Sequence, residues 1–188
     1  MIQHKNPAHL RALYLSLDSR QIYEPAKTAF FAVNGLHHDG HQYIESLYAK
    51  GVREFIVEES AWHGPIVEKA ANWEQTNIYV VENSIATLQE IAKQHRTQFQ
   101  YPVIGITGSN GKTICKEWLA ALCNSRFNVV KSPKSFNSQI GVPLSLWAMQ
   151  EKHNLGIFEA GISQKGEMQK IESILQPDYG IFTHFGEA

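Results

Sequence analysis

Short apolar runs, each bounded by polar or glycine-containing sequence, recur along the chain. Phe30-Phe31-Ala32-Val33, Phe55-Ile56-Val57 and Ile78-Tyr79-Val80-Val81 have the length of strands. Between the first two, Tyr43-Ile44 and Leu47-Tyr48 fall at helical spacing, and Gly51 follows as a C-terminal cap. Ser84 predicts the N-cap of a helix carrying Ile85, Leu88, Ile91 and Ala92 on one face. A polar stretch, Gln94 to Gln100, and Tyr101-Pro102 then mark a domain boundary, dividing 1–98 from 99–188.

The second half repeats the alternation. A strand over Val103-Ile104-Gly105-Ile106-Thr107 leads through a glycine-rich loop into a helix over about Lys112 to Asn124. A strand from Asn128 to Lys131, a helix from about Gln139 to Gln150 and a strand from Leu155 to Glu159 follow. A helix from about Lys165 to Leu175 and a strand from Tyr179 to Thr183 complete the pattern. Strands alternating with helices predict an α/β fold, a parallel sheet with helices on both faces.

Composition narrows the functional classes. Of 188 residues, 43% are hydrophobic and 19% charged, which fits a globular chain rather than a disordered one. The net charge of −1 provides no basic excess to neutralise a phosphate backbone, so nucleic acid is excluded as the main partner. Phosphate recognition has to be local. No apolar run approaches the roughly 18 residues of a membrane span, and Met1 to Leu10 lacks the apolar core of a signal peptide. On a helix, Cys115 and Cys123 stand about 12 Å apart, too far for a disulfide. Free thiols fit a reducing cytoplasm. The tryptophans, Trp62, Trp73, Trp118 and Trp147, are scattered and read as packing residues.

The chemistry concentrates in Thr107-Gly108-Ser109-Asn110-Gly111-Lys112-Thr113. Glycines let consecutive backbone N–H groups curl around an anion without Cβ clashes, and the following helix aims its positive end at the same point. Lys112 is then placed for the β- and γ-phosphates, and the Thr113 hydroxyl for Mg²⁺. The general phosphate-loop pattern asks for glycine where Ile106 stands. The bland alternative is a plain strand-to-helix turn. Glu159 closes an apolar strand, and ligand sites in open parallel sheets gather at the carboxyl ends of strands. A solvated strand end is its bland alternative.

These residues carry a resemblance. The loop, with Gly105 two positions before Thr107, resembles the ATP-binding loop of the Mur ligases, which tolerates a non-glycine at Ile106. Asp18-Ser19-Arg20, Phe30-Phe31-Ala32, Gly35 and Asp39-Gly40-His41 resemble the family's small N-terminal α/β uridine-nucleotide-binding domain. Ser135 to Leu144 resembles the segment that follows the ATP loop in the central domain. Glu159-Ala160-Gly161, Gly166-Glu167-Met168 and Pro177-Asp178 resemble specifically those members that add D-alanyl-D-alanine. The likeness runs from about Leu17 to the end. Asp39 to Ile44 and Leu47 to Arg53 are close to a subgroup fused to an alanine racemase, which implies a racemase domain outside this chain.

The resemblance implies a UDP-substrate-binding domain over 1–98 and the start of a P-loop-type parallel-sheet ATPase domain over 99–188. It implies ATP and Mg²⁺ as cofactors, and UDP-N-acetylmuramoyl-tripeptide and D-alanyl-D-alanine as the molecules joined through an acyl phosphate. Lys112 and Glu159 become catalytic, and Thr113 and Glu159 the Mg²⁺ ligands. Gly108, Ser109, Asn110, Gly111, Lys112, Thr113 and Asn137 become the ATP site. Asp18, Ser19, Arg20, Asp39, Gly40 and His41 become contacts to the UDP moiety. An asparagine like Asn137 is also a common turn former, and Asp18 to Arg20 also reads as a capping turn with a surface arginine. The cluster His37-His38-Asp39-His41 reads as a loop rather than a metal site, and Cys115 as a packing residue. His184 stands where the family has asparagine. A family Mg²⁺-binding histidine, a carbamylated lysine and a closing domain are expected beyond Ala188, so the chain reads as a front fragment without activity of its own. Two other readings compete: a P-loop kinase or NTPase of other specificity, and a non-catalytic sugar-nucleotide binding module.

Overall fold

The structure, a computed structural model, describes residues 2–3, 7, 10–35 and 38–186; His37 of the histidine cluster lies outside them. It forms two compact units, Met1–Ile91 and Ala92–Ala188.

The first unit holds β1 (Ile2–Gln3), β2 (Tyr14–Ser16), β3 (Thr28–Phe31), α1 (Ile44–Ala49), β4 (Glu54–Glu58), α2 (Pro65–Ala70), β5 (Asn77–Val81) and the start of α3 (Ser84–Arg96). Its strands make a five-stranded parallel sheet in the order β1-β5-β4-β3-β2. Alternate residues explain the core. Phe30, Ala32, Phe55, Val57 and Ile78 pack with Ile44 and Leu47 of α1 and Ala70 of α2. The intervening Phe31 and Ile56 are also fully buried, so both faces of the sheet are covered. Gly51 ends α1 at φ +105°, as its position predicts, with its N–H on Tyr48 O at 2.9 Å. Ser84 is not the cap of α3. Asn83 caps it, its Oδ1 accepting the Ala86 N–H at 2.8 Å, while the Ser84 hydroxyl donates to Ala32 O at 2.7 Å.

The second unit holds β6 (Val103–Thr107), α4 (Lys112–Cys123), β7 (Val129–Lys131), α5 (Gly141–Leu146), β8 (Leu155–Glu159), α6 (Glu167–Leu175) and β9 (Tyr179–Phe182). These strands form a parallel sheet in the order β7-β8-β6-β9. Strand alternation again sorts the faces. Ile106, Leu155 and Ile157 join Ala120 of α4, whereas Val103 and Phe158 join Val142, Leu146, Ile171 and Leu175 of α5 and α6. The sheet thus has helices on both faces. The α5 helix is shorter than the pattern suggests: after Leu146 the chain turns through three-residue hydrogen bonds, Met149 N to Leu146 O at 3.0 Å among them.

The division between units falls inside α3, ahead of the polar stretch Gln94 to Gln100. Ala92 and Phe99 belong to the second core. Arg96 is buried there and donates to Phe99 O (2.8 Å), Leu175 O (3.1 Å) and Gln176 O (3.1 Å). Both cysteines are free. Trp118 departs from the expected packing role: it is 71% exposed, in one stripe of α4 with the exposed Ile114 and Leu122. That stripe faces away from the sheet, which α4 touches through Cys115, Leu119 and Ala120.

Candidate functional site

In the second unit, β6 lies between β8 and β9, and the chain leaves β6 toward β7 but later returns to β9 on the opposite side. Such a reversal opens a crevice at the carboxyl ends of the strands. The loop Thr107 to Thr113 sits there. Gly108 has φ +130° and Gly111 φ +82°, both in the region that favours glycine. The loop is latched from β9. Ser109 N–H donates to His184 O at 3.0 Å, and Thr183 Oγ1 lies within hydrogen-bond reach of Thr107 O (3.1 Å) and Asn110 O (2.5 Å). His184 therefore acts here through its backbone carbonyl. Lys112 Nζ folds over the loop, donating to Gly108 O at 2.5 Å and Ser109 O at 3.3 Å.

Register places Glu159 directly beside Ile106. Its carboxylate is wholly buried. Thr113 Oγ1 donates to Oε2 at 3.1 Å. Lys116, one turn further along α4 and equally buried, lies 2.9 Å from Oε1. That second contact is an ion pair without hydrogen-bond alignment, so Oε1 is paired in charge while no hydrogen bond satisfies it. Glu159 N–H donates to Ser132 Oγ at 3.0 Å. Asn137 arrives at the same strand end: its carbonyl accepts the Gly161 N–H at 2.7 Å. A Cβ at Gly161 would come within 2.9 Å of Asn137 Cγ, so the glycine lets the two segments close.

A pocket of about 490 Å³ opens beside the loop, lined in part by Gly108, Ser109, Lys112, Lys165, Phe182 and Phe185. The two phenylalanine rings stack at 3.9 Å. One wall, Ile162 to Lys165, is organised by Glu167. Its Oε2 accepts the N–H groups of Ser163 (2.7 Å) and Gln164 (2.9 Å) and the Ser163 hydroxyl (3.0 Å). Those backbone N–H bonds, with the hydroxyl, hold its carboxyl down at about 2. Lys116, Ser132, Thr183 and Glu167 were not singled out from sequence for these tasks. Lys116 alone had a signal: it follows Lys112 by four positions and shares its helix face.

In the first unit, Asp18 to Arg20 follows β2 and Asp39 to His41 follows β3, at the carboxyl ends of neighbouring parallel strands. Asp18 accepts the Arg20 backbone N–H (2.9 Å), Nε (2.8 Å) and Nη2 (2.9 Å), and Arg20 holds its carboxyl well below the usual carboxylate range. The Arg20 side chain is 85% exposed and keeps three of its five N–H groups for another partner. His41 differs. It is buried; its Nε2 accepts the Glu58 N–H at 2.9 Å, so its Nδ1–H donates to Asp39 Oδ1 at 2.6 Å. Both ring nitrogens are spent inside the fold, which leaves none for the UDP contact expected of it. Gly40 is needed for close approach: a Cβ there would meet Val33 N at 2.9 Å. Glu58, also buried, completes the brace by accepting the N–H groups of Asn34 (3.2 Å) and Ser84 (3.0 Å).

Two family models match in tandem. Residues 14–98 match "Mur ligase family, catalytic domain", and residues 106–188 match "Mur ligase middle domain". The chain belongs to the Mur ligase family. Among curated Mur ligases, the UDP-N-acetylmuramoyl-tripeptide–D-alanyl-D-alanine ligase of Treponema pallidum is 35% identical over 174 residues, spanning 92% of this chain and 37% of that protein. The Bacillus subtilis ligase of the same name is 31% identical, spanning 92% of this chain and 34% of that protein. The crystal structure of MurF ligase from Thermotoga maritima in complex with ADP superposes with a TM-score of 0.77 at 28% identity, over 95% of this chain and 39% of that one. A MurF structure from Acinetobacter baumannii gives 0.79 at 26% identity, over 93% and 36%. The chain thus spans about a third of the Mur ligases it matches. Their names describe a ligase alone and lend the fused racemase no support. Among the described residues, no helix is long and apolar enough to cross a membrane.

Proposed function

We propose that the protein carrying this chain is a cytoplasmic, ATP-dependent amide ligase that joins D-alanyl-D-alanine to UDP-N-acetylmuramoyl-tripeptide. The observation that carries this reading is the meeting of Thr113 and Glu159 at 3.1 Å beside the Lys112 loop, at the carboxyl ends of adjacent strands. The relatives' names supply the substrates, and the ADP complex of the Thermotoga maritima relative supports the nucleotide.

The residues fit the groups this reading requires. Thr113 Oγ1 and Glu159 Oε2 are hard oxygen donors suited to Mg²⁺, which takes one or two protein oxygens and completes its shell with phosphates and water. Held by these two oxygens, Mg²⁺ would supply positive charge to the phosphates. The backbone of Gly108, Ser109, Asn110 and Gly111 cradles the phosphate chain, and Lys112 turns its ammonium to the β- and γ-oxygens. A tripeptide carboxylate oxygen attacks the γ-phosphorus and ADP leaves. The D-alanyl-D-alanine amine then attacks the acyl carbon, loses its proton and expels phosphate. A free carboxylate is a poor electrophile; phosphorylation gives its oxygen a good leaving group. Asn137 borders the phosphates from beside Gly161. In the first unit, Asp18, Ser19 and Arg20 receive the UDP moiety, Arg20 offering its fork to phosphate. Asp39, Gly40 and His41 shape the adjacent loop, His41 as a brace rather than a ligand.

ADP release by the full-length protein tests this, with Mg·ATP and both co-substrates supplied and each left out in turn. Release should require both and disappear in Lys112→Ala. ATP turnover indifferent to either co-substrate would overturn the substrate assignment.

A further inference from the structure

Lys116 is fully buried, a costly place for an ammonium unless hydrogen bonds and an opposite charge compensate it. Here both do. Nζ lies 2.8 Å from Ser132 O, in hydrogen-bond contact with Lys134 O, and 2.9 Å from Glu159 Oε1. Two carbonyls thus accept its hydrogen bonds and one carboxylate oxygen pairs with its charge, from two different segments. Glu117 Oε1, at 3.3 Å, is a weaker further neighbour, and that carboxylate pairs chiefly with Lys131 through Oε2. A methionine of similar length would fill the same space without any desolvation cost, so packing alone does not call for a lysine.

The carboxylate of Glu159 is gripped twice from one face of α4. Thr113 takes Oε2 and Lys116, three residues on, takes Oε1. Its backbone N–H is held by Ser132 Oγ, and the Ser132 carbonyl in turn accepts from Lys116. Neither oxygen is free to swing. Only Oε2 faces the Thr113 hydroxyl and the phosphate loop.

We propose that Lys116 is a positioning residue: by holding Oε1, it makes Glu159 offer a divalent cation one oxygen, Oε2, in fixed register with Thr113. The proposal rests on reading Thr113 and Glu159 as the Mg²⁺ ligands. Its consequence is one of geometry. A small octahedral cation that must also take phosphate oxygens and waters is served by a one-oxygen carboxylate, whereas Ca²⁺ accepts a two-oxygen one at longer, looser distances. Lys116 thereby favours the smaller ion.

The test is the affinity of the full-length protein's ADP complex for Mn²⁺, followed by its spin-resonance signal, with Ca²⁺ as competitor. Lys116→Met should lower Mn²⁺ affinity roughly tenfold, as loss of a group that orients a ligand does, and shift preference toward Ca²⁺. The sign is diagnostic. Removing a positive charge beside a cation would by itself strengthen binding, so unchanged or tighter Mn²⁺ binding overturns the proposal. In a Glu159→Gln background, Lys116→Met should add little; a full additive loss would show that Lys116 does not act through Glu159. If Glu159→Gln alone leaves Mn²⁺ affinity intact, the ligand reading itself has failed. If Glu159→Gln weakens binding and Lys116→Met does not, only the present proposal has. Should Lys116→Met not fold, Lys116→Gln, which keeps donors for the two carbonyls, carries the same comparison.

Discussion

Two residues illustrate how narrowly single positions are constrained. A Cβ on Gly108 would lie 2.3 Å from Thr183 Oγ1 and 2.9 Å from His184 N, at a φ of +130°. Gly108→Ala therefore meets both a clash and a strained backbone, an overpacking of about 1–3 kcal/mol. ADP affinity measured by calorimetry should fall, and Thr183→Ala should not restore it, because the His184 backbone still obstructs. Restoration by that second change would show that the hydroxyl alone sets the constraint. For His41, replacement by alanine orphans the buried Glu58 N–H and one Asp39 contact, with an expected cost of about 1–3 kcal/mol in urea unfolding. Were His41 a ligand contact instead, stability would hold and only the KM for the UDP substrate would rise. The loop's own chemistry reads as a tight turn, and the family resemblance suggests the ligand role for His41. Its burial is set by β4, seventeen residues away, which no local pattern reveals. Lys116 had only its spacing from Lys112 as a signal, because a lysine on an amphipathic helix reads as solvated until β7 and β8 are known to end around it.

At the scale of elements, legibility followed periodicity. Strands β3, β4, β5, β6 and β8 were readable because each is an apolar run buried on both faces. Helix α4 was readable because glycine, lysine and threonine mark its start. Strand β2, with a partly exposed pattern, and α2, a single short turn pair behind Pro65, carry too little periodicity to stand out. The α3 cap was misplaced by one residue because Asn83 and Ser84 are both capping types, and only the tie from Ser84 to Ala32 separates them. Glu167 was quoted for its resemblance, but its task belongs to the loop it organises. Its carboxyl is held at about 2 by the Ser163 and Gln164 N–H groups. A lowered folded value means the hold is present above the ordinary carboxylate range and lost as pH falls through about 2. Glu167→Gln should speed amide exchange of Ser163 and Gln164 at neutral pH while leaving α6 protected. Unchanged exchange in those two amides would mean that other contacts fix this wall of the pocket.

Over the whole molecule, the shifted groups pull stability in consistent directions. Burial pushes the His95 ring below its ordinary 6.5, against a smaller opposing effect of its contact with Met149 O. Burial lowers His153 as well. Such histidines stay neutral in the fold, while the unfolded chain takes up a proton near 6.5. Their stabilisation is therefore full above that value and declines as pH falls through it toward the lowered folded value. Glu117 and Glu167 are lowered by their hydrogen bonds, so their contribution is lost further down, below about 4.5. Lys27 is raised by its bond to Glu24, and its contribution fades only as pH climbs beyond about 10. The exposed pairs among these contribute little, being screened by solvent. A plateau from about pH 7 to 10 follows, with a first shallow loss on the acid side that belongs to the histidines. His95 also packs against the Phe99 and Trp147 rings, at 5.0 and 4.5 Å, where a charged imidazole is poorly solvated. Urea midpoints taken from pH 7 to 5.5 should fall, and His95→Gln, which keeps an N–H for Met149 O, should flatten that slope. Titration of the His95 ring protons by NMR provides the direct check: a midpoint at or above 6.5 would remove His95 as the cause and shift the acid sensitivity to His153.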